Sequence, residues 1–378
     1  MDINERESDL GFESEIESAE VVLPCSELDE TLAFFTEKLG FDLELIFPAD
    51  NPVTAVISGF GTRLRLETGV AGPSPVLRLA CRQPTEVAAG ETFLLAPNGT
   101  RIELVEANPG IHLPAGRQSL VITKMANADS WVLGRAGMRY RDLIPGRQGG
   151  RFIASHIRIE QGGPVPDYAH FHRVRFQMIC CYKGWARVVY EDQGEPFLLQ
   201  AGDCVLQPPQ IRHRVLESSA GLEVIEIGCP AEHETCADHK ISLPNQTIRR
   251  SQDFAGQRFV HHRAAEAQWG AWRLPGYEAR NTGIDAASDG LAAAHVVRPV
   301  GDSRSVLVSH QHEFLFFFML AGSMNLSCEQ HDSKALATGD ACVIPKGMHH
   351  ALGDGSSDLE FLEVRLPADF RTKEHHKK

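Results

Sequence analysis

The sequence has no apolar stretch long enough to cross a membrane. Its longest run of large apolar residues, Phe314 to Leu320, has seven members, whereas a membrane-spanning helix needs about 20. The chain opens on an acidic stretch, Asp2 to Glu20, which lacks the basic and apolar regions of a signal peptide. These absences predict a cytoplasmic protein that has no membrane partner.

Positive charge is also scarce. The 378 residues include 37 Lys and Arg against 50 Asp and Glu, which gives a formal net charge of -13. Proteins that bind nucleic acid need clustered basic side chains. The one dense basic cluster here is the terminal segment 373–378, which we interpret as a solvated end. The sequence therefore predicts no nucleic-acid partner.

Cysteine pairs and several well-known motifs are missing as well. The nine cysteines form an odd set without a CxxC pair, which favours reduced thiols. No GxGxxG or Walker-type sequence suggests a phosphate site, and no GxSxG sequence suggests a serine nucleophile. The chemistry that residue spacing does indicate lies among the 17 histidines.

The first unit predicted along the chain covers residues 18–108. Apolar periodicity and turn residues indicate an α+β order, with a closing hairpin whose turn is Asn98-Gly99. The predicted helix spans 28–39. The predicted strands span 19–24, 42–47, 53–58, 62–67, 76–80, 93–96 and 101–105.

The β-α-β-β-β order, with the ending Pro97-Asn98-Gly99-Thr100-Arg101-Ile102-Glu103-Leu104, resembles one module of the vicinal oxygen chelate (glyoxalase/bleomycin-resistance) superfamily. The resemblance implies a metal ligand on the first strand and a Glu on the last, positions held here by Glu20 and Glu103. Each is either a ligand or a surface carboxylate. The family builds its cleft from two modules, and one is found here. The resemblance therefore implies either a homodimer that pairs these modules or a docking element.

The rest of the chain has an all-β pattern. Residues 107–150 look like an irregular lead-in, after which short strand-like runs alternate with Gly, Pro and Asp turns almost to the end. A polar stretch near 231–255 divides this region. We therefore predict two domains, 109–245 and 246–368.

Three histidines of the first of these domains have metal-ligand spacing. His170 and His172 are i and i+2 on a strand-like segment, so both imidazoles leave the same face. His213 follows His172 by 41 residues, which is far enough for strands to return beside the first pair. Three neutral imidazoles in an apolar cavity suit Fe, Zn, Cu, Ni or Mn, and they leave positions open for water, substrate or dioxygen.

The same spacing recurs roughly 140 residues later. His310 and His312 form a second HxH pair, and His350 follows His312 by 38 residues. In both halves the last histidine ends the pattern Gly-Asp-x4-Pro-x4-His, which begins at Gly202 and at Gly339. An internal repeat of this kind indicates a duplicated domain.

Both histidine clusters resemble the two motifs of the cupin superfamily, and their duplication resembles a bicupin. The resemblance implies a mainly β fold with two jelly-roll barrels that follow the α+β module. It also implies the metal ligands, which are His170, His172 and His213 in the first barrel and His310, His312 and His350 in the second.

The chain departs from the cupin pattern at the Glu that follows the HxH pair. Gln177 stands at that position in the first barrel and Leu315 in the second, where Glu313 lies two residues away. A site without this carboxylate leaves the metal with its full charge, which favours an anionic or chelating substrate. Three-histidine sites of this kind resemble those of cupin dioxygenases that cleave carbon–carbon bonds in diketones and hydroxylated aromatic acids.

We prefer the first barrel as the reactive one. Its metal-bearing segment offers polar candidates for catalytic roles in Gln177, Arg175 and Tyr182. Gln177 would act as a weak ligand or as a hydrogen-bonding neighbour of the metal, and Arg175 would pair with a substrate carboxylate. In the second barrel, the aromatic run at 314–318 favours core packing or a barrel–barrel interface.

The functional hypothesis is a metal-dependent dioxygenase. Fe(II) is the expected cofactor, with Zn, Mn, Ni or Cu as alternatives, and the substrate is a small chelating molecule such as a diketone, a 2-oxo acid or a hydroxylated aromatic acid. Two other functions stay open: a metal-dependent isomerase or lyase, and a non-catalytic small-molecule-binding cupin.

Overall fold

The computed structural model describes residues 16–87, 90–127, 131–301, 306–369 and 372–375. Most of the acidic N-terminal stretch and the last residues of the basic tail lie outside these ranges. The chain divides into two compact units, Met1–Gly110 and Ile111–Lys378. Within the described ranges, no helix has the length and apolar character that a membrane crossing requires.

The first unit begins with a complete β-α-β-β-β arrangement. Its elements are β1 (Val21–Cys25), α1 (Leu28–Ala33), a π-helical turn (Phe34–Lys38), β2 (Asp42–Phe47), β3 (Thr54–Gly59) and β4 (Thr62–Thr68). β1 pairs in parallel with β4, and the sheet order is β1-β4-β3-β2. Alternate residues of β4, Leu64 and Leu66, are buried in one core with Phe35 of the helical segment, as the period of two along a strand requires.

A second, shorter arrangement follows in the same unit. It consists of β5 (Val76–Cys81), α2 (Pro84–Val87), β6 (Phe93–Leu95) and β7 (Arg101–Glu106). β5 pairs in parallel with β7, as β1 pairs with β4. The sequence predicts one module in this unit, whereas the structure has a full arrangement and a shortened one. Ile102 and Leu104 of the second share a core with the first.

The second unit consists mainly of short strands. Those of its first half are β8 (Val121–Thr123), β9 (Val132–Leu133), β10 (Arg139–Asp142), β11 (Ile153–Ile159), β12 (Gly163–Pro164), β13 (His170–His172), β14 (Phe176–Lys183), β15 (Trp185–Tyr190), β16 (Phe197–Gln200), β17 (Cys204–Leu206), β18 (His213–Ser218), β19 (Leu222–Cys229) and β20 (Thr235–Ala237). Short helical turns span Arg147–Gly150 and Ile284–Ala287.

The strands of its second half repeat this succession. They are β21 (Val260–His262), β22 (Gly270–Ala271), β23 (Tyr277–Asn281), β24 (Ala293–Pro299), β25 (Leu307–His310), β26 (Phe314–Ala321), β27 (Ser323–Cys328), β28 (Lys334–Ala337), β29 (Ala341–Val343), β30 (His350–Gly353), β31 (Glu360–Leu366) and β32 (Thr372–His375).

Each half of the second unit forms a barrel from one large and one smaller sheet. In the first barrel the large sheet has the order β21-β17-β14-β19-β11-β10-β9, and the smaller one β16-β15-β18-β13-β20 with β12 paired to β18. In the second barrel the orders are β22-β23-β24-β31-β26-β29-β8 and β28-β27-β30-β25-β32. This is the mainly β architecture that the sequence predicts.

Each barrel receives an edge strand from the segment that precedes the other barrel. β8 pairs with β29 of the second barrel, and β21 pairs with β17 of the first. The aspartate of each Gly-Asp motif binds the incoming segment. Asp340 accepts a hydrogen bond from the backbone N–H of Met125 at 2.7 Å, and Asp203 accepts one from that of Ala264 at 2.8 Å. The lead-in that the sequence analysis expected to be irregular thus supplies β8, β9 and β10.

The two barrels pack against each other through their large sheets. One buried cluster contains Met178 of β14 and Phe316 of β26, and the ring of Phe152 stacks on that of Phe314 with centroids 4.2 Å apart. Complete burial of one such ring contributes about 1.5–3 kcal/mol. This confirms the expectation that the aromatic run of the second barrel builds core. The same packing fixes the position of β14, whose opposite face lines the interior of the first barrel.

Candidate metal centre

Three histidines from two paired strands meet inside the first barrel. His170 and His172 project from the same face of β13 because they are two residues apart. The backbone of His170 pairs with that of His213, the first residue of β18. As a result, the ligand atoms of the three imidazoles all lie within 4.8 Å of one another.

Backbone carbonyl groups orient two of these rings. His170 Nδ1 lies 2.8 Å from the carbonyl oxygen of Tyr168, and His213 Nδ1 lies 3.0 Å from that of Ile211. A carbonyl oxygen only accepts, so each Nδ1 carries the proton and each Nε2 keeps its lone pair. His172 Nδ1 lies 3.0 Å from the hydroxyl of Thr235. Such outer contacts are what hold metal-binding imidazoles in place.

Burial keeps all three imidazoles neutral near pH 7. It lowers the pKa of His170, and together with the neighbouring imidazoles it lowers the pKa of His172 to about 3. The same causes hold the pKa of His213 well below its usual value. A neutral ring is the form that binds a metal, so no proton has to be removed first.

The three rings open into a cavity of about 310 Å³. Its wall is mostly apolar, formed by side chains such as Ile157, Val188, Leu199 and Val224. A small set of polar groups besides the three histidines interrupts that wall: Arg135, Tyr140, Ser155, Gln177, Tyr190, Gln207, Arg214, Glu226, His233 and Thr235. An apolar enclosure with a few convergent polar groups is typical of a small-molecule site.

Arg135 places a positive charge beside the imidazoles. Its guanidinium lies 3.0 Å from His170 Nε2 and is paired with the carboxylate of Asp167, which also accepts the backbone N–H of Val215 at 2.9 Å. Asp167 is buried, so its carboxylate fixes the position of the Arg135 guanidinium. Motif spacing does not reveal Arg135, because it lies 35 residues before His170 in the chain.

Gln177 belongs to the cavity, as predicted, but its amide is bound by its neighbours. The hydroxyl of Tyr190 donates to Gln207 Oε1 at 2.7 Å, and Gln207 Nε2 donates to Gln177 Oε1 at 3.2 Å. Gln177 Nε2 in turn donates to the carboxylate of Glu226. This arrangement favours the second of the two predicted roles, a hydrogen-bonding neighbour rather than a ligand.

The sequence matches no protein-family profile and no curated protein, but solved structures do match the chain. Salicylate 1,2-dioxygenase of Pseudaminobacter salicylatoxidans superposes with a TM-score of 0.55 at 14% identity, over 69% of this chain and 90% of that chain. A mutant of that enzyme in complex with gentisate gives 0.54 at 15% identity, over 70% and 88%. A mutant of Bacillus subtilis oxalate decarboxylase gives 0.50 at 14% identity, over 71% and 82%. The fold is that of a bicupin.

The second barrel of the bicupin arranges its histidines differently. His310 Nε2 lies 3.0 Å from the carbonyl oxygen of Ile344, and His310 Nδ1 accepts the backbone N–H of His312 at 3.1 Å. Both nitrogens of that ring have backbone partners, so His310 offers no free lone pair to a metal in this arrangement. Across the described residues, the first-barrel histidines are the sole group of three His, Cys, Asp or Glu with ligand atoms within 4.8 Å.

The interior of the second barrel is filled with apolar side chains. Leu315, which stands where cupins have their Glu, is buried in a cluster with Phe317, Met319 and Met324. His350, the third predicted ligand, is buried at its edge, with Nδ1 3.2 Å from the carbonyl oxygen of Met348. The two barrels of the bicupin therefore share a motif but differ in what they enclose.

Arg175 lies outside the first-barrel cavity, in contrast to its predicted role. Its Nη1 contacts both carboxylate oxygens of Glu313, at 3.0 and 3.1 Å, and Arg151 contacts the same carboxylate. Arg175 precedes β14, which begins at Phe176, and its side chain reaches Glu313 of the other barrel. The same ion pairs occupy Glu313, so it does not replace the missing Glu beside the histidines of the second barrel.

Tyr182 also differs from the prediction, because it faces the opposite side of β14 from Gln177. Gln177 and Ile179 line the cavity, and strand residues alternate between faces. Tyr182 therefore points to the barrel–barrel contact, where its ring lies 5.2 Å from that of Phe318 and 5.7 Å from that of His156. Positions 177 and 182 are an odd number of residues apart, so strand alternation alone places their side chains on opposite faces.

Two further cavity residues were not found from the sequence. Glu226 comes from β19, which lies beside β14, and His233 comes from the loop after β19. The His233 ring lies 5.4 Å from that of His172, with its Nδ1 3.0 Å from the carbonyl oxygen of Pro230. Neither residue has a fixed spacing from the HxH pair, so only the strand pairing brings them to the site.

In the first unit of the chain, the two candidate ligands form ion pairs. Glu20 contacts Arg65 at 2.7 Å, and Glu103 contacts Arg78 at 2.9 Å. An arginine partner holds each carboxylate in a surface ion pair, which is the second of the two interpretations that the sequence leaves open.

Proposed function

We propose that the bicupin unit holds one divalent metal ion, Fe(II), on His170, His172 and His213, and that the protein is a dioxygenase of a small chelating organic acid. The observation that carries this proposal is the convergence of three buried, neutral imidazoles on one cavity. Diketones, 2-oxo acids and hydroxylated aromatic acids are the substrate classes that combine small size with two chelating oxygens.

The donor set supports a resident divalent ion. The carbonyl groups behind His170 and His213 leave Nε2 of both rings unprotonated, and burial excludes competing protons. These Nε2 atoms lie 3.0 Å from the Arg135 guanidinium and 3.4 Å from the Gln207 amide, which are side-chain groups that a metal ion can displace, whereas the partners of His310 are backbone groups. Three nitrogen ligands leave coordination positions open. When bound, the ion would supply Lewis acidity and a place for dioxygen.

The charge of Arg135 supports an anionic substrate. Asp167 balances the charge of Arg135, so a divalent ion on three neutral imidazoles would still add positive charge to the cavity. A substrate carboxylate offsets that charge and pairs well with the planar guanidinium. Asp167 acts as the positioning residue for Arg135, and the apolar wall of the cavity keeps water from the bound acid.

The similarity to salicylate 1,2-dioxygenase, also solved with gentisate, supports the oxygenase proposal. Oxalate decarboxylase has the same fold. A metal-dependent isomerase or lyase and a non-catalytic binder are therefore the alternatives that the experiment has to separate.

The experiment is measurement of dioxygen uptake by Fe(II)-loaded protein with salicylate, gentisate, 2-oxo acids and diketones. The proposal predicts uptake of dioxygen together with loss of one of these substrates, and none with His213→Ala. His349→Ala is the matched control, because His349 pairs with Glu329 on the surface of the other barrel. Substrate loss without dioxygen uptake would establish the isomerase or lyase, and binding without loss would establish the binder.

We further propose that residues 18–108 form a vicinal-oxygen-chelate-like module without a metal, followed by cupin domains at 109–245 and 246–368. The parallel pairing of β1 with β4 and of β5 with β7 supports the module. A homodimer stays a prediction, although the second arrangement in the same unit weakens the reason for it. Sedimentation of the full chain tests it, and a strictly monomeric species would remove it.

A further inference from the structure

We propose that Glu226 is the proton acceptor of the first-barrel site. It removes the proton from a substrate hydroxyl as the substrate enters the cavity, so that the substrate becomes a chelating anion. This inference rests on the proposed function, because it concerns the same cavity. It deepens that function by restricting the substrate to acids that carry an ionisable hydroxyl beside their second oxygen.

Glu226 is well placed for this role. It lies on β19, where its backbone is opposite Ile179 on one side and Ser155 on the other, and all three side chains line the cavity. Among the described residues that line the cavity, Glu226 is the sole carboxylic acid. It is half-buried and lines the cavity.

The hydrogen bonds around Glu226 have one direction. Donors run from the Tyr190 hydroxyl to Gln207, from the Gln207 amide to Gln177, and from the Gln177 amide to the Glu226 carboxylate. The Glu226 carboxylate is the final acceptor of this series, and the Gln207 amide also lies 3.4 Å from His213 Nε2. The acid that cupins carry after their HxH pair is an amide here, and the carboxylate comes instead from the neighbouring strand.

The second barrel provides an internal comparison. Glu363 of β31 is opposite Phe317 of β26, just as Glu226 is opposite Ile179 of β14. Glu363 is fully buried and bound to two arginines, Arg273 at 2.7 Å and Arg365 at 2.7 Å. A carboxylate held by two guanidinium groups is a poor proton acceptor.

Glu226 differs from Glu363 in this respect. In the part of the chain that the structure describes, no Arg, Lys or His forms an ion pair with Glu226. Its hydrogen-bond donor is the neutral amide of Gln177. The carboxylate at this register position is thus bound by two arginines in the second barrel and by one neutral amide in the first.

The proposed step is a simple proton transfer. The O–H bond of the substrate breaks, its electron pair stays on the substrate oxygen, and a new O–H bond forms on the Glu226 carboxylate. Nothing is oxidised or reduced, and no other reactant is required. The negative charge moves from the protein to the substrate, beside the guanidinium of Arg135 and the metal-binding imidazoles.

The test uses the full chain loaded with Fe(II), without dioxygen, and the chromogenic probe 4-nitrocatechol, whose visible absorption band reports its ionisation. Wild type is compared with Glu226→Gln, which keeps the shape of the side chain, and with Glu226→Asp, which keeps the acid. Glu217→Gln is the matched control, because Glu217 forms an exposed pair with Arg187 away from the cavity.

We expect wild type, Glu226→Asp and Glu217→Gln to bind the doubly ionised probe. Glu226→Gln should retain its iron but bind the singly ionised probe, with affinity weakened by about tenfold or more. Infrared difference spectra should show a new protonated carboxyl band when the probe binds to wild type, and that measurement does not depend on any variant.

Two results would overturn the inference without affecting the proposed function. One is Glu226→Gln giving the doubly ionised band with wild-type affinity, and the other is the absence of a new carboxyl band in wild type that binds the ionised probe. Failure of wild type to retain iron or to bind the probe would instead remove the proposed function, and the inference with it.

Discussion

Two sets of three histidines occupy corresponding positions in the two barrels, yet their ring nitrogens have different partners. In the first barrel, carbonyl oxygens bind the Nδ1 side of His170 and His213 and leave Nε2 toward the cavity. In the second, backbone groups bind both nitrogens of His310. Residue identity is thus insufficient to define the centre, since the partner of each nitrogen decides which lone pair remains.

At the residue scale, sequence spacing located the first-barrel histidines and Gln177. It could do so because the HxH segment and the Gly-Asp-x4-Pro-x4-His segment are each short and have fixed internal spacing. It did not locate Arg135 or Glu226, which reach the cavity through strand pairing that spacing does not encode. It assigned Tyr182 to the wrong face of its strand, although counting from Gln177 in steps of two would have corrected this.

We predict that His310 is structural. His310→Ala removes two buried hydrogen bonds, so the free energy of unfolding should fall by about 1–3 kcal/mol. Because its nitrogens are already bound, metal content should not change. Urea unfolding and elemental analysis check the two halves of this prediction. Loss of a metal equivalent with this variant would show that His310 is a ligand.

At the element scale, most strands of the first unit lie within two residues of their predicted ends, and 42–47 is reproduced. Burial alternates along β4, β5 and β7, as the sequence pattern predicts, and turn residues bound these strands. The exchange of β8 and β21 between the barrels was not predicted. Each has three residues, and their pairing partners lie in the opposite half of the unit. No local pattern in the sequence encodes so distant a pairing.

The exchanged strands depend on the Gly-Asp motifs. The buried Asp340 accepts the backbone N–H of Met125 at 2.7 Å and that of Ala337 at 2.8 Å, so Asp340→Ala removes both hydrogen bonds. We expect a loss of about 1–3 kcal/mol in the free energy of unfolding. Amide hydrogens of Val121–Thr123 should also exchange faster. The exposed Asp358 provides the control, Asp358→Ala, and equal exchange in both variants would show that β8 does not need Asp340.

At the scale of the whole molecule, buried neutral histidines should make the metal-free protein sensitive to acid. Burial first, and then neighbouring charges, lowers the pKa of His172 and His310 to about 3 and that of His312 and His350 to about 4. In the unfolded chain these groups titrate near pH 6.5. Below that pH the unfolded state binds protons that the folded state excludes, so stability falls until the pH reaches the folded values.

The expected loss between pH 7 and pH 5 is about 2 kcal/mol for each such histidine. Urea unfolding of metal-free protein at the two pH values measures it. His350→Gln removes one of these groups and should reduce the difference accordingly. A free energy of unfolding that is the same at pH 7 and pH 5 would contradict the assignment of neutral, buried imidazoles.

The central claim is that the first barrel alone carries the metal. The most direct test is elemental analysis of protein purified without chelators, as wild type, His172→Ala and His312→Ala. We expect about one metal ion per chain in wild type and in His312→Ala, and none in His172→Ala. Loss of metal with His312→Ala, or its retention with His172→Ala, would contradict it.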